Sequence, residues 1–177
     1  MNIANKLTLF RILLVPVFVI LRRVGGPNME LASAFVFIIA AATDFLDGNL
    51  ARKYNLVTTF GKFADPLADK ILTVSAFILC AEEGLIPGWG VIIIVAREFI
   101  VTGLRVLAAS EGITIAASFY GKLKTTFQLI SIIALLFYPL WGTLPGRILF
   151  YVAVALTLIS GWDYLAKNKA VLNLSDL

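Results

Sequence analysis

Histidine is absent from these 177 residues, and cysteine occurs once, as Cys80. The first absence removes the commonest general base and the commonest transition-metal ligand, so proton transfer must fall to a carboxylate or a less usual group. The second excludes an intrachain disulfide and any zinc or iron–sulfur site built from several cysteines, and it leaves Cys80 to pack as a small apolar residue. Ligands limited to oxygen favour a hard cation such as Mg²⁺, Mn²⁺ or Ca²⁺. Charge is also scarce. Only 15% of the residues are charged against 60% hydrophobic, with a mean hydropathy of +0.93, whereas a soluble domain is typically about 45–50% apolar. The net charge of +4 does not point to nucleic acid, because the basic residues are scattered between apolar runs; anionic head groups and phosphorylated substrates suit them better.

What the chain has in quantity is long apolar runs, without low-complexity tracts or an obvious internal repeat. They predict an all-α polytopic membrane protein, one domain over 1–177, with about six transmembrane helices of roughly 20 residues each. An amphipathic amino-terminal lead-in opens into a first span from Leu7 to Leu21, which carries Arg11 and Pro16; the interruption by Arg11 argues against a cleaved signal peptide. Gly25, Gly26, Pro27 and Asn28 predict a turn. Further spans are expected at about Glu30 to Tyr54, Gly61 to Ala81, Trp89 to Ser110, Phe119 to Leu140 and Ile148 to Leu165. Pro66 should mark the first turn of the third span or kink it. Trp89, Trp141 and Trp162 fall near span ends, as interfacial tryptophans do. Lys6, Arg52, Lys53, Lys62, Lys122, Lys124, Lys167 and Lys169 lie on the amino-terminal side, against Arg22, Arg23 and Arg147 opposite, so that side is expected in the cytoplasm.

The acids are concentrated in one stretch. It reads Asp44-x-x-Asp47-Gly48-x-x-Ala51-Arg52, then eight residues, then Gly61-x-x-x-Asp65-x-x-x-Asp69. On helices, each half presents its acids and glycine on one face. Two helices can thus aim two carboxylates each into a shared space in which the glycines leave room for a ligand. An aspartate at the centre of a span costs roughly 2.5–3.5 kcal/mol, so four of them need bound cations, interfacial water, or Arg52 and Lys70. Two divalent cations on four carboxylates would leave a site near neutrality, able to take a pyrophosphate and to clamp the attacking and leaving oxygens of phosphoryl transfer. Arg52, one turn beyond Gly48, can bind a phosphate oxygen bidentately.

With both glycines, the Ala51-Arg52 pair and all four acids in register, this stretch resembles the signature of the CDP-alcohol phosphotransferase family. Asn5-x-Leu7-Thr8-x-x-Arg11 is similar to the family's amino-terminal segment, although Ala4 stands where proline is frequent. Ala96-Arg97-Glu98, Leu104-Arg105, Ala108 to Gly112, Gly121-Lys122-x-Lys124-Thr125 and Gln128 resemble its bacterial branch that uses glycerol 3-phosphate. The resemblance covers nearly the whole chain. It implies transfer of a phosphatidyl group from CDP-diacylglycerol to sn-glycerol 3-phosphate with release of CMP, in a multi-pass protein of the bacterial cytoplasmic membrane whose site faces the cytoplasm, and a homodimer. It also implies metal ligation by Asp44, Asp47, Asp65 and Asp69, with two Mg²⁺ or Mn²⁺ ions per site and Asp69 also the base for the acceptor hydroxyl. Gly48, Ala51, Arg52 and Gly61 would line the cytidine diphosphate pocket.

A phosphorylated acceptor needs cations besides those engaged by the pyrophosphate. Arg97 and Arg105, eight apart, can share a helix face, and Lys122 and Lys124 fall on the same membrane side. The plainer alternative for the two arginines is an ion pair with Glu98 or snorkelling to head groups, but arginine within a span is functional by default. Asn5, Thr8 and Arg11 either cap the first helix or touch nucleotide. Three rival readings stand beside this one: another alcohol acceptor, a membrane prenyltransferase, and a divalent-cation transporter. A prenyltransferase would want a second aspartate-rich cluster and more spans, and a transporter would want its acids near the midplane.

Overall fold

A computed structural model describes residues 3–53, 59–110, 112, 115–116 and 118–168, with side chains described for 6–43 and, within those ranges, from 67 onward. Among the described residues the chain is all-α, without strands. The helices are α1 (Ile3–Val24), α2 (Pro27–Lys53), α3 (Thr59–Glu82), α4 (Gly88–Ser110), α5 (Phe119–Leu136), the single turn α6 (Tyr138–Trp141) and α7 (Leu144–Lys167).

A helix lies over each of the six apolar stretches, but several ends move, and proline chemistry explains the shifts. The turn after α1 is only Gly25 and Gly26, at φ +71° and +86°. Pro27 and Asn28 already belong to α2, because a helix loses nothing when proline occupies its first position, where the missing N–H would be unpaired anyway. The fifth span stops at Leu136 instead of Leu140, since Pro139 cannot donate the next helical hydrogen bond; Trp141 Nε1 donates to Ala134 O at 3.0 Å and takes up a carbonyl left by the break. The sixth span starts early, with Pro145 in the first turn of α7. Helix α3 begins at Thr59, so Pro66 lies beyond its first turn.

Helix α3 packs against α1, α2, α4 and α5, and α7 packs along α5 and α4. The core combines Phe18 of α1, Phe37 of α2, Leu72 and Phe77 of α3, Leu135 of α5 and Phe150 of α7. Small residues bring α7 close: a Cβ on Gly90 would stand 2.6 Å from Phe150 Cζ, and one on Gly146 would stand 2.7 Å from Leu135 Cγ. Polar groups are buried at the same contact, where Gln128 Nε2 donates to Thr157 Oγ1 at 3.2 Å and Ser131 Oγ donates to Gly146 O at 3.3 Å.

One end of the bundle is tied by charge. Arg22 forks onto Glu83 at 2.7 and 2.5 Å, Arg23 pairs with Glu82 at 2.7 Å, and Arg147 donates to the carbonyls of Leu85 and Gly84 at 2.6 and 3.0 Å. Three distant arginines therefore meet on the turn between α3 and α4. The exterior is apolar, with Ile92 at 69%, Phe99 at 74% and Trp162 at 77% exposure, while Thr8, Arg11, Ser131, Thr157 and Ser160 are fully buried. Among the described residues α7 alone is long and apolar enough as a whole to cross a membrane. The other long helices are interrupted by charges such as Arg11, Asp69, Arg97 and Lys124.

Candidate active site

At the opposite end from the arginine-tied turn, α3, α4, α5 and α7 surround a cavity of about 240 Å³. Helical period explains who faces it. Asp69 and Lys70 come from α3; Arg97, Glu98, Thr102 and Arg105 recur along α4 at helical spacing; Lys122, Lys124 and Thr125 come from the first turns of α5; Tyr164 comes from the last turns of α7. Helix α5 is started by Ser118, whose Oγ accepts from Gly121 N at 3.1 Å, an N-cap that sets the entrance of the lysines.

The described lining carries five cations, Lys70, Arg97, Arg105, Lys122 and Lys124, against the two carboxylates of Asp69 and Glu98. Glu98 ties part of this charge down: it forms an ion pair with Lys124, and its Oε1 lies 3.5 Å from Arg97 Nη1. Lys70 Nζ donates to Thr102 Oγ1 at 2.5 Å, linking α3 to α4 beside Asp69. Arg105 Nε donates to Tyr164 Oη at 3.2 Å, with its guanidinium 5.6 Å from the ring centroid. Arg97 Nε is buried with no hydrogen-bond partner among the described residues. A buried donor in that state costs free energy until an acceptor reaches it, and the cavity supplies the space. The net positive surplus makes this a place for an anion.

Of the residues expected from the sequence, Asp69, Arg97, Arg105, Lys122 and Lys124 are thus gathered around one cavity. The ion pair with Glu98 that stood as the alternative for Arg97 is present as well, and does not remove Arg97 from the lining. Asp44, Asp47, Gly48, Ala51 and Arg52 fall on α2, and Gly61 and Asp65 fall on α3; their side chains lie outside the described ones. Among the described residues no group of three or more metal-ligating side chains occurs. The donor set that α2 and α3 carry is carboxylate throughout, which fits Mg²⁺ or Mn²⁺ and not a thiolate or imidazole site. Glu98, Thr102 and Tyr164 were not expected from the sequence as lining residues. The only signal for Glu98 and Thr102 was helical spacing from Arg97 and Arg105 on α4, and Tyr164 had none.

An all-α bundle with a cationic cavity onto which Asp69 of α3 opens suits an enzyme that handles phosphorylated substrates. A family model described as CDP-alcohol phosphatidyltransferase matches residues 1–159, and the chain belongs to that family. A Bacillus subtilis protein named CDP-diacylglycerol–glycerol-3-phosphate 3-phosphatidyltransferase is 45% identical across 99% of both chains. Proteins of the same name from Escherichia coli K12 and Rickettsia bellii are 40% and 36% identical, each over at least 95% of both chains.

Proposed function

We propose that this chain transfers the phosphatidyl group of CDP-diacylglycerol to sn-glycerol 3-phosphate, giving phosphatidylglycerophosphate and CMP, at the cytoplasmic face of a bacterial membrane. The names of the full-length relatives support the reaction. The observation that carries the acceptor assignment is the cationic surplus around Asp69. A phosphate monoester brings about two negative charges at neutral pH, and Arg97, Arg105, Lys122 and Lys124 are the groups that answer them. An uncharged alcohol would leave that surplus and Arg97 Nε unanswered. The apolar exterior, over an interior that also buries Thr8, Ser131, Thr157 and Ser160, supports embedding in lipid, where buried hydroxyls and small residues hold helices together and exposed Ile, Phe and Leu face the acyl chains.

In this reading the acceptor phosphate sits among the cations of α4 and α5 and aims its free hydroxyl toward Asp69. Asp69 takes the hydroxyl proton as the oxygen bonds to the phosphatidyl phosphorus, and the bond from that phosphorus to CMP breaks, its electron pair leaving with CMP. Arg52, with Gly48, Ala51 and Gly61, holds the cytidine diphosphate portion on the α2 and α3 side. Asp44, Asp47, Asp65 and Asp69 would hold divalent cations, which when bound supply neutralisation of the pyrophosphate charge. Lys70, fixed by Thr102, balances the carboxylate it follows.

The test is CMP release by purified protein given CDP-diacylglycerol and a panel of alcohols. Release with glycerol 3-phosphate that stops on chelation and returns with Mg²⁺ or Mn²⁺ is expected. A preference for inositol or serine would overturn the acceptor, and turnover unaffected by chelation would overturn the role of the aspartates.

A further inference from the structure

Among the described residues helix α7 alone is long and apolar enough to cross a membrane, yet its last turns touch both arginines of the cavity. Gly161 is buried, and a Cβ there would stand 3.2 Å from Arg97 Cγ and 3.9 Å from Arg97 Nε. That is tighter than ordinary contact, so the glycine leaves the groove in which the Arg97 stem lies. Three residues on, Tyr164 is 3% exposed, with its ring packed on Val101 and Leu104 of α4. Packing on that side fixes the ring, and the ring fixes Arg105, which it meets through both a hydrogen bond at 3.2 Å and its face at 5.6 Å. Spaced i,i+3, Gly161 and Tyr164 share one face of α7.

We infer that Gly161 and Tyr164 are positioning residues for the acceptor, holding Arg97 and Arg105 so that the free edges of both guanidiniums converge on one phosphate. The inference rests on the proposed acceptor role of those arginines and adds the device that aims them. Long cationic side chains lose rotamer freedom when a ligand orders them, and a site that has ordered them beforehand binds more tightly. Arg105 alone, on an exposed stretch of α4, would have no such constraint; Tyr164 supplies it.

The experiment is a pair of double-mutant cycles read as KM for each substrate in the purified full chain. KM reports the active fraction only, so partial loss of folded protein does not imitate the effect. Tyr164→Phe removes the hydroxyl and keeps the ring, and should raise KM for glycerol 3-phosphate about two- to tenfold, as loss of one hydrogen bond does, with KM for CDP-diacylglycerol unchanged. Gly161→Ala should move the same constant in the same direction. Placed on Arg105→Ala and Arg97→Ala respectively, the two substitutions should add nothing further. Effects that persist undiminished in those backgrounds, or wild-type KM for glycerol 3-phosphate in both single variants while Arg105→Ala raises it, would overturn the inference and leave the proposed function standing. If Arg97→Ala and Arg105→Ala themselves leave that KM unmoved, the acceptor assignment fails and the inference fails with it.

Discussion

At the scale of single residues, the proposed reaction divides its chemistry between acids for the donor and cations for the acceptor. Asp65 and Asp69 make this division testable. Asp65→Asn keeps the shape and removes a charge from the carboxylate set, so CMP release should fall to background and divalent-cation affinity should drop; wild-type turnover would remove Asp65 from the ligand set. Asp69→Asn should depress turnover more than CDP-diacylglycerol binding, because its proposed additional task is to accept the hydroxyl proton. Equal loss of both would reduce it to a ligand. For Arg105→Ala the expected effect is a rise in KM for glycerol 3-phosphate of about tenfold. That is the lower end of what a hydrogen bond to a charged group contributes, because Arg105 is partly exposed and solvent screens it.

At the scale of helices, glycine decides how closely elements approach, and two glycines on different helices make opposite predictions. A Cβ on Gly146 would meet Leu135 at 2.7 and 2.8 Å in the side chain and 3.0 Å at the backbone nitrogen, and backbone cannot yield as a side-chain tip does. Gly146→Ala should cost about 1–3 kcal/mol, the usual range for overpacking. Gly103 sits in α4 with nothing within 4 Å of its Cβ position, so Gly103→Ala should gain up to about 1 kcal/mol from helix propensity. Thermal unfolding in detergent separates the two, and a stabilised Gly146→Ala would mean α5 and α7 pack differently. The same scale explains what could be read in advance. Two acids per helix and arginines eight apart are legible because a helix has a fixed period and needs no partner to express it. Gly161 and Tyr164 were not, since what makes them matter lies in another helix; Tyr164 meets Arg105 across 59 positions of sequence. Helix ends were misjudged at Asn28 and Leu140 because proline both starts and stops helices, and only the neighbouring hydrogen bonds decide which.

At the scale of the whole molecule, the question is which end faces the cytoplasm. Arg22, Arg23 and Arg147 are far apart in sequence but gather on the turn between α3 and α4, and each is committed to a carboxylate or a carbonyl there. Lys70, Lys122 and Lys124 gather instead at the cavity end. The proposed orientation sets the cavity end in the cytoplasm, the side to which the positive-inside bias assigns Lys6, Arg52, Lys53, Lys62, Lys122, Lys124, Lys167 and Lys169. Cysteine labelling can read this directly, because the one native cysteine, Cys80, is fully buried and gives little background. A cysteine at Asn28, exposed at the arginine-tied end, should react with an impermeant maleimide in intact cells. One at Lys167, whose side chain is 67% exposed at the end of α7, should react only after the membrane is opened. In inverted vesicles the two should exchange. Labelling of Lys167→Cys from outside intact cells would set the cavity on the side that lacks its substrates, and the proposed orientation would have to be abandoned even if the reaction itself were confirmed.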